Sequence, residues 1–244
     1  MQINKDVGLI LRDIYSYDIE SCHYTILEKS GYDLSHIDKE NKLTRNIQIG
    51  QMMHDNPRIT SLLRTTTESI INDYINKNNI KESEIVLRQY DGLILTRKLY
   101  YTNLSHIPLD LRKVFQVFIS SIDRKKYIAL DSSEDLTIKG VSNRYEAIDQ
   151  LYKDLCLITS IGKKTPIFKR LQKFRDNIIF STDINLFKIP ARDGKINIFL
   201  KGYGQLEVSE STAKIMDLDD IDKEVYYSLY FDKFIKTIVF EFVR

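Results

Sequence analysis

The sequence predicts an α+β fold, an antiparallel sheet backed by helices and followed by a mixed C-terminal region. Three observations carry this reading. Short apolar segments rich in β-branched and aromatic residues occur at 14–19, 85–90 and 93–96. Two of them flank Asp91-Gly92, a dipeptide that favours tight two-residue hairpin turns. Between the first strand and that hairpin, Ile59, Leu62, Leu63, Thr66, Ile70, Ile71 and Tyr74 recur three or four apart, the spacing of a helix with one buried face.

In chain order, residues 14–19 read as a strand and 23–29 change to a helical pattern, which puts Asp18 at the junction. Residues 38–77 are mainly helical, with Pro57 starting a second helix. The segments 85–90 and 93–96 form a hairpin with Asp91 at its tip. Further strands are expected at 114–120, 126–130 and 136–139, then a helix over 144–158. Past Gly162 come a basic helix, 163–175, strands near 184–189 and 196–200, and helices from the acidic stretch 217–224 to the C-terminus. A domain boundary is placed near residue 160, and no internal repeat is found.

A chain of 244 residues with 43% hydrophobic content can bury a core, so it should be globular. Its net charge of +2 neither supports nor excludes a nucleic-acid partner, because local clustering is the signature of one. Cys22 and Cys156 are too few and too far apart for a zinc module or a disulfide framework, which implies a reducing, intracellular setting. Charges interrupt the N-terminal segment every few residues, so it lacks the apolar stretch of a signal peptide. No run approaches the ~18 residues of a membrane span, and a soluble, cytoplasmic protein with no membrane partner is expected. Abundant Ile, Lys, Asn, Asp and Tyr beside 9 Gly and 4 Pro point to an AT-rich genome, such as that of a phage, in which case the compartment is the host cytoplasm.

Asp18 and Asp91, each ending an apolar strand, are the candidate metal ligands. Two carboxylates on neighbouring strand ends can hold a pair of Mg²⁺ (or Mn²⁺) ions ~3.5–4 Å apart for phosphoryl or nucleotidyl chemistry. Taken singly, each has a structural explanation, since Asp before a helix is often a cap and Asp-Gly is often only a turn.

The surrounding residues give the pair its meaning. The run Asp18-Ile-Glu-Ser-Cys-His-Tyr-Thr-Ile-Leu resembles motif A of the B-family DNA polymerases, Asp-x-x-Ser-Leu-Tyr-Pro-Ser-Ile, with Asp18, Ser21, Thr25 and Ile26 in register. Cys22, His23 and Tyr24 replace the family's Leu, Tyr and Pro. The resemblance implies that Ile19 binds metal through its carbonyl and that Ser21 and nearby amides hold triphosphate oxygens. The run Lys42-Leu-Thr-Arg-Asn-Ile-Gln-Ile-Gly is similar to motif B at its Lys, Asn46 and Gly50. It implies that Lys42 binds triphosphate and protonates the leaving group, with Asn46 and Gly50 over the nascent base pair. A helix bearing Lys and Asn can equally be a solvated face.

The hairpin 84–95 resembles motif C, although Tyr-Asp-Gly stands where the B family has Asp-Thr-Asp-Ser. Single-Asp hairpins of this kind occur in A-family DNA polymerases and single-subunit RNA polymerases. Downstream, Lys125, Lys126 and Tyr127, followed by Lys139-Gly140, resemble the family's Lys-Lys-x-Tyr and Lys-Gly contacts to the primer and duplex. The resemblance spans residues 15–145 and implies a polymerase-type palm with rudimentary fingers over 1–160 and a thumb-like region over 161–244, the latter containing Tyr226 and Tyr227.

On this resemblance the chain is a template-directed nucleotidyltransferase of the DNA-polymerase kind with a two-metal mechanism, a minimal or split subunit. Its partners are a primer-template and nucleoside triphosphates. The short span between motifs A and B and the lack of room for an exonuclease before Asp18 raise a second chain that supplies fingers or proofreading. His23, at the place of the family's sugar-excluding Tyr, implies weak discrimination against ribose. Two other readings stay open: a non-catalytic nucleic-acid-binding subunit of a replication complex, and a metal-dependent nuclease, although Glu20 is the only obvious extra carboxylate. The basic helix with Lys163, Lys164, Lys169, Arg170, Lys173 and Arg175 is a further candidate to track a phosphate backbone, or a plain amphipathic face.

Overall fold

The computed structural model describes residues 2–104, 107–141, 144–160 and 164–243. Its elements begin with β1 (Ile10–Leu11), β2 (Ile14–Ile19), α1 (Cys22–Lys29), α2 (Lys42–Asp55) and α3 (Pro57–Lys77). There follow β3 (Ile85–Arg88), β4 (Gly92–Leu95), β5 (Asn103–Leu104), β6 (Ile107–Ser120), β7 (Tyr127–Asp131) and β8 (Leu136–Lys139). The last part holds α4 (Ala147–Ser160), α5 (Lys164–Ile179), β9 (Ile189–Pro190), β10 (Ile196–Leu200), β11 (Gly204–Val208), α6 (Glu210–Lys214), α7 (Lys223–Tyr230) and α8 (Asp232–Val243). This is an α+β architecture of antiparallel sheets backed by helices, as expected.

The chain divides into two compact units, Ile14–Val114 and Met1–Asp13 with Phe115–Arg244. The boundary expected near residue 160 falls between α4 and α5, inside the second unit, where both helices supply the same core.

In the first unit, β4 lies between β2 and β3, antiparallel to both. Helix α3 covers this sheet because its apolar residues return every third or fourth position: Ile59, Leu63, Ile70, Ile71, Tyr74 and Ile75 are all buried. Asn56 caps it by accepting from the Arg58 N–H, and Pro57 occupies the first turn, where a missing N–H costs nothing. Its far end is fixed by the Tyr74 hydroxyl, which accepts from the Leu104 N–H at 2.9 Å. Helix α2 is different, burying only Ile49 and starting at Asn41, whose side chain accepts from the Leu43 and Thr44 N–H groups.

The expected Asp91-Gly92 turn is corrected at this point. The Gln89 N–H donates to the Gly92 carbonyl at 3.0 Å, which places Tyr90 and Asp91 at the centre of the tip and Gly92 in β4. Neither central residue takes a positive φ, so the Asp-Gly preference for a primed turn is not what shapes this loop. Gly92 is required for another reason: a Cβ on it would lie 2.2 Å from the Tyr17 carbonyl oxygen.

In the second unit, β6 pairs with β1 and β7, and β7 with β8, all antiparallel. Helices α4 and α5 and the small sheet β11-β10-β9 share one apolar core in which Tyr152, Phe174, Phe231 and Phe234 pack ring on ring. Two expectations change here, and one strand was not foreseen. Residues Ile184–Phe187 form a 3₁₀ turn because the Asp183 carboxylate accepts from the Asn185 N–H, and only Ile189–Pro190 remains as strand. The acidic stretch precedes α7 instead of forming it, with Asp222 accepting from the Val225 N–H as its cap. Strand β11, almost wholly exposed, carries no alternation that a sequence reading could detect. Among the described residues, no helix is long and apolar enough to cross a membrane.

Candidate active site

Strand β2 delivers Asp18, and the β3–β4 tip delivers Asp91. Asp18 is the register partner of Gly92, and the Ile19 N–H donates to the Asp91 carbonyl at 2.8 Å, so the two Asp residues are locked side by side by backbone bonds. The missing side chain at residue 92 lets β2 and β4 approach this closely.

Asp18 Oδ1 is buried and has no hydrogen-bond partner among the described residues. Burial raises its pKa above the ordinary carboxylate value and the neighbouring Asp91 raises it further, while Arg112, the Ile19 N–H and Lys42 oppose the shift. An unpaired buried acceptor costs about 1–3 kcal/mol, and a fold retains that cost when something else uses the group. A divalent cation between the two carboxylates would satisfy the orphaned oxygen and cancel the repulsion, so the donor set fits such an ion. Among the described residues, no group of three or more His, Cys, Asp or Glu side chains forms a metal-holding cluster.

Ser21, between β2 and α1, sits in the left-handed region at φ 48° and ψ 43°, unusual for a residue with a side chain. Holding it there costs about 1–3 kcal/mol. Its side chain makes no cap hydrogen bond and the first turn of α1 has no acidic residue, so the N-terminal amides beside the Asp pair are left without an anionic neighbour on their own helix.

A cleft of about 770 Å³ opens over these groups. One wall is α2, which turns Lys42, Arg45, Asn46, Ile49, Gly50 and Met53 toward it, positions three or four apart on one helical face. Asp18, Ile19, Ser21, His23, Lys42, Asn46 and Asp91, all expected from sequence, line this one cleft. The imidazole of His23 packs edge-on against Tyr90, centroids 5.4 Å apart and planes at 80°. Burial lowers its pKa and Asp91 only partly offsets this, so it is neutral at neutral pH.

Four residues escaped the sequence reading. Arg45 and Arg112 line the cleft, and Arg112 lies 3.9 Å from Glu20 and 3.7 Å from Asp110. Tyr90 forms the tip beside Asp91. Thr67 sits buried inside α3, beneath them. Its hydroxyl donates to the Leu63 carbonyl at 2.7 Å, which leaves only acceptor capacity for Cys22 Sγ at 3.5 Å. One threonine thus joins α3 to the start of α1. Burial pushes the Cys22 thiol up to about 11, and it is not a nucleophile. The only available sign of Thr67 was a polar residue on an otherwise apolar helical stripe.

Lys125, Lys126, Tyr127 and Lys139 belong to the other compact unit. Tyr127 pairs with Lys139 across β7 and β8, and Gly140, at φ 79°, packs so closely on the Lys125 carbonyl that a Cβ would lie 2.6 Å from it. The three lysines therefore gather at one end of that hairpin. The structure corrects the expectation for Tyr127, whose ring is 1% exposed and stacked on Phe118 at 4.6 Å, so its side chain belongs to the core. On α5, Lys169, Arg170 and Lys173 are exposed, whereas Arg175 pairs with Glu224 and Phe174 is buried. Lys163 lies outside the described residues.

The fold is similar to that of the family B DNA polymerase from the hyperthermophilic archaeon Pyrobaculum calidifontis, with a TM-score of 0.53 at 9% identity over 95% of this chain. The chain spans 45% of that polymerase. A search of curated proteins finds no match. The family model described as bacteriophage PBS1 gene 130 protein matches residues 2–239. With nearly its whole length matched, the chain belongs to the bacteriophage PBS1 gene 130 protein family.

Proposed function

We propose that this phage protein is a template-directed nucleotidyltransferase of the DNA-polymerase kind, with Asp18 and Asp91 as its metal-binding pair. The observation that carries the reading is the buried, partnerless Asp18 Oδ1 set against a second carboxylate at the head of a cation-walled cleft. Two Mg²⁺ or Mn²⁺ ions on this pair would activate a primer 3′-hydroxyl and neutralise the departing pyrophosphate. The likeness of fold to a B-family polymerase supports the same chemistry.

The chain's own residues take the remaining roles. Asp18, Asp91 and the Ile19 carbonyl hold the ions. The α1 amides and Ser21 receive triphosphate oxygens, where the helix terminus favours negative charge. Lys42 binds the triphosphate and gives a proton to the leaving group, and Asn46 and Gly50 face the nascent pair. Lys125, Lys126 and Lys139 contact primer-template phosphates. His23, smaller than a tyrosine and neutral, leaves ribose weakly excluded.

The test is extension of a labelled primer-template by wild type and Asp18→Ala with Mg²⁺ or Mn²⁺. Extension by wild type alone supports the assignment. Equal products from both proteins, or duplex binding by wild type without extension, overturns it, the latter in favour of a binding subunit.

A further inference from the structure

A second groove, of about 290 Å³, runs along the outer side of the hairpin tip between α3 and β3, and nothing above accounts for it. Arg64, Glu68 and Asn72 enter it from α3, one face at four-residue spacing, while Arg88 and Gln89 enter from β3 and the loop after it. Tyr90 borders both this groove and the cleft over Asp91, and it is 48% exposed. Among the described residues, neither the Arg64 nor the Arg88 guanidinium forms an ion pair or a side-chain hydrogen bond.

From this we infer that the groove binds the phosphodiester backbone of a single-stranded nucleic acid, with the two arginines on its phosphates and Tyr90 as a stacking surface where the strand passes toward the cleft. The inference rests on the polymerase reading and deepens it. Several features favour a strand over a compact ligand. The groove lies just below the ~300–1,000 Å³ range for small-molecule pockets, and it shares Tyr90 with the cleft over Asp91. Two guanidiniums on separate elements flank an aromatic ring, the combination by which proteins hold unpaired strands without reading sequence. The ring is braced by its edge contact with His23. Glu68 opposes an anion and makes the groove a moderate binder.

The experiment is fluorescence anisotropy of a labelled single-stranded oligodeoxynucleotide without metal or nucleotide, read across a salt series. The variants are Arg64→Ala/Arg88→Ala, Glu68→Gln and Tyr90→Phe. The arginine double variant is expected to weaken binding tenfold or more and to flatten the slope of log K against log salt by about 1.4, the loss of two phosphate contacts on a single strand. Glu68→Gln tightens binding, and Tyr90→Phe leaves it near wild type. Wild-type affinity and slope in the double variant, or no binding by wild type, overturns the inference. Failure is separable from that of the enzyme reading: extension with an unaffected double variant removes only the groove, and arginine-dependent binding without extension removes only the polymerase.

Discussion

The Ile19 N–H donates to the Asp91 carbonyl at 2.8 Å, a single backbone bond that ties the end of the first long strand to the tip of the hairpin. It fixes the two carboxylates by main chain alone, so their side chains can be replaced without moving the scaffold. That makes Asp18→Asn a clean probe. The raised pKa of Asp18 means that its stability contribution is present at low pH and is lost as pH rises through its folded value. In metal-free buffer at neutral pH, Asp18→Asn should therefore melt higher than wild type, and the difference should vanish below the unfolded pKa of ~3.9. Added Mn²⁺ should raise the melting temperature of wild type and not of the variant, as differential scanning fluorimetry would show.

Gly92→Ala places a methyl group against the Tyr17 carbonyl. Overpacking of this kind costs about 1–3 kcal/mol, and here relief requires β2 and β4 to separate, which moves both carboxylates. Urea denaturation should show the loss, and the variant should extend primers at least tenfold more slowly. Full activity would show that the tip tolerates displacement.

Thr67→Val keeps the shape of the side chain and removes its acceptor, stranding the Cys22 thiol. A cost of about 1–3 kcal/mol follows from the unmet group. The turnover rate should fall with little change in KM for nucleotide, and Thr67→Ser should restore it. Unaltered turnover in the valine variant would reduce Thr67 to a packing residue.

On the proposed function, His23→Tyr adds bulk where the nucleotide's sugar would sit. Wild type should incorporate ribonucleotides readily, and the variant should shift preference toward deoxynucleotides by an order of magnitude in kcat/KM. A wild type already selective for deoxynucleotides would end the idea.

Asp123 tests the second unit. Hydrogen bonds from Lys233 at 2.6 Å and from Ser121 hold its carboxyl well below the usual range. Its contribution is present above the unfolded pKa of ~3.9 and is lost as pH falls toward its folded value. Asp123→Asn should thus lower stability at pH 6, and the difference from wild type should shrink steadily as pH falls below ~3.9, measured by thermal melts at each pH.

The sequence was most legible where one physical signal stood alone. The alternation of Ile14–Ile19, the stripe on α3 and the β-rich segments around Asp91 each fixed an element, and seven of the residues named by the ordered motifs line one cleft. It failed where local chemistry had two outlets. Asp91-Gly92 reads as a turn because glycine tolerates positive φ, but this glycine serves a close strand approach that only the pairing reveals. Tyr127 looked like a surface contact by its resemblance to a duplex-binding motif, whereas it opens a strand buried along its whole length and stacks on Phe118. Thr67 and Arg112 depend on contacts distant in sequence, and no spacing rule exposes them.

Ser21 places the molecule at a trade-off between durability and work. Its left-handed backbone is a conformation glycine adopts freely, so Ser21→Gly would relieve strain locally and, if the added unfolded-state entropy is small, harden the protein. The same change would remove a hydroxyl from the helix entrance and loosen the angle at which α1 leaves the sheet. A library selected for heat resistance should accept glycine there, and one selected for extension should return serine, which would mark this residue as a place where the phage protein has kept function over stability.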